Sequence, residues 1–216
     1  MVKLSAPKAI LFDWDNTLVD TWPIIHESLA KTFTQMGLEV WTMEMVKQRV
    51  ARSMRDSFPI IFGDKWQEAA EIYQSTFRSI HLQRLTALAN AEEMLKFIAS
   101  NPVYLAVVSN KKGVNLRLEV EHIGWNKYFS KVIGADDTAR DKPFPEPVHA
   151  ALEGSGIALN SDVWFIGDSE VDMECAYATG CTPIFYGELP KSKLSHDFHK
   201  RVESHNELIK LYEEVF

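Results

Sequence analysis

Cysteine is scarce in this sequence. Cys175 and Cys181 are the whole complement in 216 residues, and they do not form a Cys-x-x-Cys pair. That excludes a disulfide framework and suits a reducing compartment. No apolar run approaches the length needed to span a membrane, and the first eight residues lack an apolar signal segment, so a soluble protein of cytoplasmic type is expected. An excess of positive charge is also missing. Lys and Arg number 23 against 30 Asp and Glu, a net charge of -7, which argues against non-specific nucleic-acid binding. A local basic pocket for a small anion is still compatible with that balance. There is no internal repeat and no low-complexity segment. The apolar fraction of 46% is ordinary, and the length allows one medium domain, or one domain with a smaller insertion, around a sizeable core.

What the sequence does have is one stretch that organises the rest: Ala9-Ile10-Leu11-Phe12-Asp13-Trp14-Asp15-Asn16-Thr17-Leu18. An apolar run of strand formers leads directly into two carboxylates one residue apart. Such a run reads as a fully buried strand of a parallel sheet. Ligands in open α/β sheets sit beyond the carboxyl ends of the strands. Side chains alternate along a strand, so Asp13 and Asp15 share a side while Trp14 points away. Two like charges at that spacing repel. A hard divalent cation such as Mg²⁺ relieves the repulsion through carboxylate oxygens and water. The alternative is a solvated strand end with a helix cap behind it.

Helical spacing of Trp22, Ile25, Leu29, Phe33 and Met36 predicts a helix opened by Asp20 or Thr21, with Pro23 in its first turn and Gly37 at its end. A second helix is expected after Thr42, along Met43, Val46 and Val50. Pro59 and Gly63 predict a break. Asp64 with Gln67 resembles a capping box ahead of a long helix through Trp66, Ala69, Ala70, Tyr73, Phe77 and Ile80. Residues 20–85 therefore read as an all-helical insertion placed directly behind the acidic strand end. Strands and helices alternate beyond it. Strands are expected at 103–108, 131–135, 163–166 and 183–186. Helices are expected behind Asn90 with Glu93, through Leu116, Val120 and Ile123, through Val148 and Leu152, at 171–178, and in the tail at 206–216. This alternation predicts an α/β fold, a doubly wound parallel sheet core formed by residues 1–19 and 86–216 with a helical domain at 20–85.

Four of these strands end in polar clusters: Asp13 with Asp15, Ser109 with Asn110, the loop leading to Lys142, and Asp168 with Asp172. In a parallel sheet those ends lie on one edge and the clusters converge. Taken singly, each has an ordinary explanation. Ser109-Asn110 reads as a turn, Lys142 as a solvated loop lysine, and Gly167-Asp168-Ser169 as a tight turn with a helix cap. Their occurrence in order, each behind a strand, is what points to one site.

In that order they resemble the motifs of the haloacid dehalogenase superfamily, in its phosphoglycolate phosphatase-like branch. Asp13-Trp14-Asp15-Asn16-Thr17 is similar to the family's Asp-x-Asp-x-Thr motif, and Ser109 to its second motif. Lys142, in Asp141-Lys142-Pro143-Phe144-Pro145, is similar to the third, and Gly167-Asp168-Ser169-Glu170-Val171-Asp172 to the fourth. The resemblance spans essentially the whole chain. It implies a Rossmann-like core under a helical C1-type cap, and a Mg²⁺-dependent phosphatase acting on a small phosphorylated metabolite, phosphoglycolate-like or sugar-phosphate-like. By the same resemblance Asp13 is the nucleophile and a metal ligand. Asp15 is the general acid and base and adds a metal ligand through its backbone carbonyl. Ser109 donates to a phosphoryl oxygen with help from Asn110, and Thr17 belongs to the substrate-binding set. Lys142 neutralises the transferring group and holds Asp13, while Asp168 and Asp172 complete the metal site. The superfamily's dehalogenases lack an acid at the position of Asp15, which argues against dehalogenation. Arg49, Arg52 and Arg55 fall in the expected loop between cap helices, where a basic residue suits a second anionic group on the substrate. Alternatively they are solvated, or paired with Glu44 and Asp56. Two further readings stay open: a phosphosugar mutase of the β-phosphoglucomutase type, and a non-catalytic binding protein of the same fold. A monomer or weak homodimer with no nucleic-acid or membrane partner is expected.

Overall fold

The computed structural model describes residues 4–50, 52–189 and 194–215. Along the chain, β1 (Ala9–Phe12) is followed by the two-residue β2 (Val19–Asp20) and four helices, α1 (Trp22–Gln35), α2 (Met43–Arg49), α3 (Met54–Phe62) and α4 (Trp66–Arg84). β3 (Thr86–Ala87) and α5 (Ala91–Ala99) come next. Then β4 (Tyr104–Lys112), α6 (Gly113–His122), β5 (Lys131–Ala135), α7 (Glu146–Leu152), β6 (Val163–Gly167), α8 (Glu170–Thr179) and β7 (Thr182–Tyr186) alternate, before β8 (Lys200–Val202) and α9 (His205–Glu213).

Six strands form one sheet in the order β5-β4-β1-β6-β7-β8, and every pairing in it is parallel. The doubly wound α/β architecture follows from β1. All four of its residues are buried, and they alternate between two cores. Ile10 and Phe12 join Met94, Leu95, Leu116 and Leu208, which come from α5, α6 and α9. Ala9 and Leu11 join Val148, Ala151, Cys175 and Ala176, from α7 and α8. Each large apolar side chain buried in this way contributes about 1.5–3 kcal/mol. The sheet is thus covered on both faces, as its near-continuous apolar strands require. Cys175 and Cys181 are both free and buried.

Helices α1 to α4 build their own core around Ile24, Leu29, Phe33, Phe58, Phe62 and Phe77. Aromatic rings dominate it, with Phe58 and Phe62 centroids 5.0 Å apart and Phe33 and Phe62 5.3 Å apart. The chain leaves the sheet layer through β2 and returns through β3, which pair antiparallel with Val19 opposite Ala87 and Asp20 opposite Thr86. The two crossings therefore run side by side. Of the two candidate openers of α1, Asp20 accepts the Trp22 N–H at 3.2 Å, while the Thr21 side chain makes no cap bond.

Several local expectations need correction. Pro59 lies inside α3 and does not break it. An interior proline normally costs about 3 kcal/mol, and here burial of Phe58 and Phe62 on either side opposes that penalty. The break falls at Gly63, whose φ of 55° is the left-handed region. The Asp64–Gln67 capping box does not form, because a 3-10 turn at Gly63–Lys65 delays α4 to Trp66. Asn90 does not cap α5 through its side chain; its φ of 60° makes the tight turn after β3 instead. β4 runs past Val108 to Lys112. The short strands β2, β3 and β8 were not expected, since two or three residues carry no readable alternation. The tail helix ends at Glu213, and Phe216 and Ala51 lie outside the described residues. Among the described residues, no helix is long and apolar enough to cross a membrane.

Candidate active site

β1 delivers Asp13 directly at its carboxyl end, where the Asp13 N–H donates to Ile166 O at 2.9 Å and so continues the ladder to β6. The chain then turns sharply. Asn16, with φ 61°, donates its N–H to Val19 O at 2.7 Å, and Leu18 N–H returns to Trp14 O at 3.0 Å. Trp14 points into the core, fully buried and edge-on to Trp125 at 5.7 Å, which leaves Asp13 and Asp15 facing the cavity. That cavity, about 1700 Å³, is bounded by the strand ends on one side and by α1 to α4 on the other. It is larger than an ordinary small-ligand pocket and has the form of a cleft.

The loop behind β5 brings Lys142 to the same place. Its Nζ donates to Asp13 Oδ1 at 2.6 Å and to Asp172 Oδ1 at 2.7 Å, and its side chain is 2% exposed. Asn110 at the end of β4 donates from Nδ2 to Lys142 O at 3.0 Å, fixing the loop that carries the lysine. Asp172, in the first turn of α8, is held in turn by Ser169, from N–H at 3.0 Å and from Oγ at 2.5 Å. Asp168 enters between them, and oxygens of Asp13, Asp168 and Asp172 lie within 4.8 Å of one another.

Electrostatics in this cluster are unbalanced. Burial, with added repulsion from Asp172 and Asp15, pushes Asp13 up to about 7 despite the opposing charge of Lys142. Burial and the charges of Asp13 and Asp172 likewise push Asp168 well above the usual carboxylate range. Burial tends to lower Lys142, but the two carboxylates it touches raise it further, so it stays charged. Three carboxylates thus share one ammonium. An all-oxygen donor set with surplus negative charge fits a hard divalent cation such as Mg²⁺.

Gly167, the last residue of β6, makes this packing feasible. A Cβ there would stand 2.3 Å from Asp172 Cγ and 2.5 Å from its Cβ. Gly167→Ala is therefore expected to displace Asp172 and destabilise the fold by about 1–3 kcal/mol, the usual range for overpacking. Urea unfolding measures this, and an unchanged midpoint would contradict it.

The remaining expected residues divide. Ser109 is buried at the cavity edge, where its Oγ accepts the Lys111 N–H at 3.2 Å. Thr17 is fully buried and does not line the cavity; its carbonyl accepts from His205 Nε2 at 2.9 Å, so it supports the turn behind Asp15. Arg55 differs from both of its expected roles. It sits in α3, and its guanidinium is clamped on buried Asp141, from Nε at 3.1 Å and Nη2 at 2.7 Å. It thereby ties the helical unit to the residue before Lys142. Arg49 ends α2 with its guanidinium over the Trp41 ring at 4.7 Å. All three arginines line the cavity, and neither Arg49 nor Arg52 makes an ion pair among the described residues.

A second charged group was not foreseen. Lys111 Nζ forms an ion pair with Asp15 Oδ1 at 2.6 Å and donates to Glu119 Oε2 at 2.5 Å. Glu119 is fully buried and also accepts from Trp14 Nε1 at 2.7 Å and pairs with His81 Nδ1 at 2.7 Å. One signal for it was available. Glu119 falls three residues after Leu116 and four before Ile123, on the apolar stripe of its helix, where a lone carboxylate is unusual.

Residues 10–185 match the family described as haloacid dehalogenase-like hydrolase. The chain belongs to that family of enzymes. A pyrophosphatase PpaX of Oceanobacillus iheyensis is 30% identical over 170 residues, 77% of each chain. A phosphoglycolate phosphatase of Pectobacterium atrosepticum is 27% identical over 192 residues, covering 85% of this chain and 82% of that protein. The crystal structure of a HAD-superfamily hydrolase from Ehrlichia chaffeensis covers 99% of both chains at 30% identity, with a TM-score of 0.69.

Proposed function

We propose that this hydrolase is a Mg²⁺-dependent phosphatase that removes the phosphoryl group from a small phosphorylated metabolite through an aspartyl-phosphate on Asp13. The observation that carries the reading is the Lys142 ammonium bonded to both Asp13 and Asp172 beside Asp168, buried against a cleft that Asp15 also lines. Asp13 attacks phosphorus with the carboxylate oxygen that Lys142 leaves open, forming an O–P bond as the bond to the leaving oxygen breaks. Asp15 gives its proton to that oxygen. Water then attacks the same phosphorus, Asp15 takes back a proton, and inorganic phosphate departs with Asp13 restored. Ser109 and Lys142 stabilise the charge on the transferring group, since phosphoryl transfer depends mostly on positioning and electrostatics. Asp13, Asp168 and Asp172, with the Asp15 carbonyl, would hold Mg²⁺, which supplies positive charge to the phosphoryl oxygens. Residues 20–85 act as a cap that excludes water, and Arg52, which lines the cleft together with Arg49 and Arg78, meets a second anionic group on the substrate.

Phosphate release across a panel of phosphorylated metabolites, with and without Mg²⁺, tests the reading. Turnover of at least one member is expected. Isomerisation of a sugar phosphate without phosphate release would replace it with a mutase, and no turnover of any substrate would reject it.

Metal binding should also show in stability. Asp13 titrates near 7 in the metal-free fold against an ordinary 3.8. The folded form keeps a proton that the unfolded chain has released, so this contribution is complete below 3.8 and lost as pH rises through about 7. Bound metal requires ionised carboxylates. Mg²⁺ is therefore expected to raise the melting temperature more at about pH 8 than at about pH 5.5, because protons compete for the same oxygens. An equal rise at both would count against this metal site.

A further inference from the structure

We propose that Glu119 and Lys111 are positioning residues for Asp15, and that His81 makes their action depend on the placement of helix α4. The inference rests on the phosphatase reading only in taking Asp15 as the group that exchanges a proton with the leaving oxygen.

A carboxylate at position 119 is not needed for packing. Its neighbours on the stripe, Leu116 and Val120, are buried apolar residues, and an apolar residue there would satisfy the core. Isolated burial of a carboxylate costs several kcal/mol, and replacing buried ion pairs by apolar groups is often neutral or stabilising. Glu119 is instead bound by three donors from three parts of the chain. Trp14 lies between Asp13 and Asp15, Lys111 lies two residues beyond Ser109, and His81 belongs to α4. Burial alone would raise Glu119, but the Lys111 ammonium and the bonds from His81, Lys111 and Trp14 hold it below the usual range.

Lysine is a flexible chain with a point charge at its end. Here that freedom is removed. The Lys111 side chain is 5% exposed, and its ammonium sits between the Glu119 and Asp15 carboxylates, 5.2 Å from the centre of the Phe77 ring. Phe77 and His81 stack on the same face of α4, with ring centres 4.9 Å apart. Asn115, one helical turn before Glu119 in α6, donates to Gln74 of α4 at 2.9 Å. The second half of α4 is thus fastened to α6 at two points, Gln74 and His81, and the charge that meets Asp15 is caged beside them. Asp15 itself is 20% exposed in its side chain, and Lys111 is its sole ion-pair partner among the described residues. When α4 sits as it does here, Lys111 holds the Asp15 carboxylate toward the cleft. When α4 shifts, His81 and Phe77 leave the cage and the hold loosens. Proton transfer then follows the seating of the cap.

The test separates leaving groups. A positioned proton donor matters for an alkyl phosphate, whose alkoxide leaves poorly, and little for an activated aryl phosphate, whose phenolate leaves without a proton. The quantity to compare is kcat/KM, which ends at departure of the leaving group, so hydrolysis of the aspartyl-phosphate does not enter. Lys111→Met, Glu119→Gln and His81→Leu are each expected to lower kcat/KM for an alkyl phosphate by on the order of 10- to 100-fold, part of what general acid catalysis supplies. The loss on the aryl phosphate should be only a few-fold. His81→Asn, which can keep a donor near the position of Nδ1, should recover most of the His81→Leu loss. His81→Leu combined with Lys111→Met should lose no more than Lys111→Met alone, since the two act in series. Equal losses on both substrates, or additive losses in the double variant, would overturn the inference and leave the phosphatase reading standing. The alkyl phosphate is taken from the panel members that wild type turns over, and absence of turnover across the whole panel and on the aryl phosphate would remove both. Should Glu119→Gln fail to fold, the His81 and Lys111 variants decide the matter through the same ratio.

Discussion

Asp13→Asn is expected to abolish phosphate release while leaving a folded protein. The substitution keeps size and shape and removes the attacking oxygen. Loss of a nucleophile from a cooperating set typically costs at least about 10⁴-fold in kcat. The fold should survive because Lys142 keeps its bond to Asp172 at 2.7 Å when Asp13 is neutralised. Metal-free stability near neutral pH should not fall, since burial and the neighbouring carboxylates already penalise the ionised form of Asp13. The rise in melting temperature caused by Mg²⁺ should shrink, because one charged ligand is gone. Turnover and circular dichroism on the same preparation check both halves. Activity close to wild type would refute the assignment of the nucleophile.

Lys142→Met should have the largest effect on stability. It leaves Asp13, Asp168 and Asp172 clustered with no cation among them. Removing one partner of a buried ion pair typically costs about 3–5 kcal/mol, because the other charge remains buried and unpaired. Met fills nearly the same volume, so lost packing contributes little. Urea unfolding without metal should show this loss, and Mg²⁺ should recover part of it by supplying positive charge to the same oxygens. Activity should fall as well, since the transferring group loses its ammonium. A wild-type unfolding midpoint in the metal-free variant would mean that Lys142 does not carry the charge balance of the site.

Much of this site was legible because it is built from strand ends. A buried strand has a strong local signature, and a polar residue directly behind it has a fixed place relative to the sheet. Asp13 and Asp168 follow β1 and β6 in that way, Ser109 lies within β4 a few residues before its end at Lys112, and the structure brings all three to one edge. The glycine stops at Gly37, Gly124 and Gly180 and the helix start at Thr42 hold, whereas two other helix starts do not. Asp64 with Gln67, and Asn90 with Glu93, have the spacing of a capping box, yet neither forms one. The backbone at those points is set by the turns before the helices, and a side chain cannot cap a geometry the turn does not supply. Arg55 shows the same limit in the helical unit. Its neighbours in sequence offered Glu44 and Asp56, but its partner is Asp141, 86 residues away.

From its residues alone the chain settled its α/β alternation, the helical block after the first strand, and the acidic edge of the sheet, because apolar periodicity and strand-end placement are local properties. Only the tertiary structure decided which charges meet. It set Lys142 between Asp13 and Asp172, Arg55 on Asp141, and Lys111 between Asp15 and Glu119. Most of those pairings join distant segments, and a charge that is solvated in the extended chain acquires its partners only when burial removes water and leaves a few counter-charges within reach.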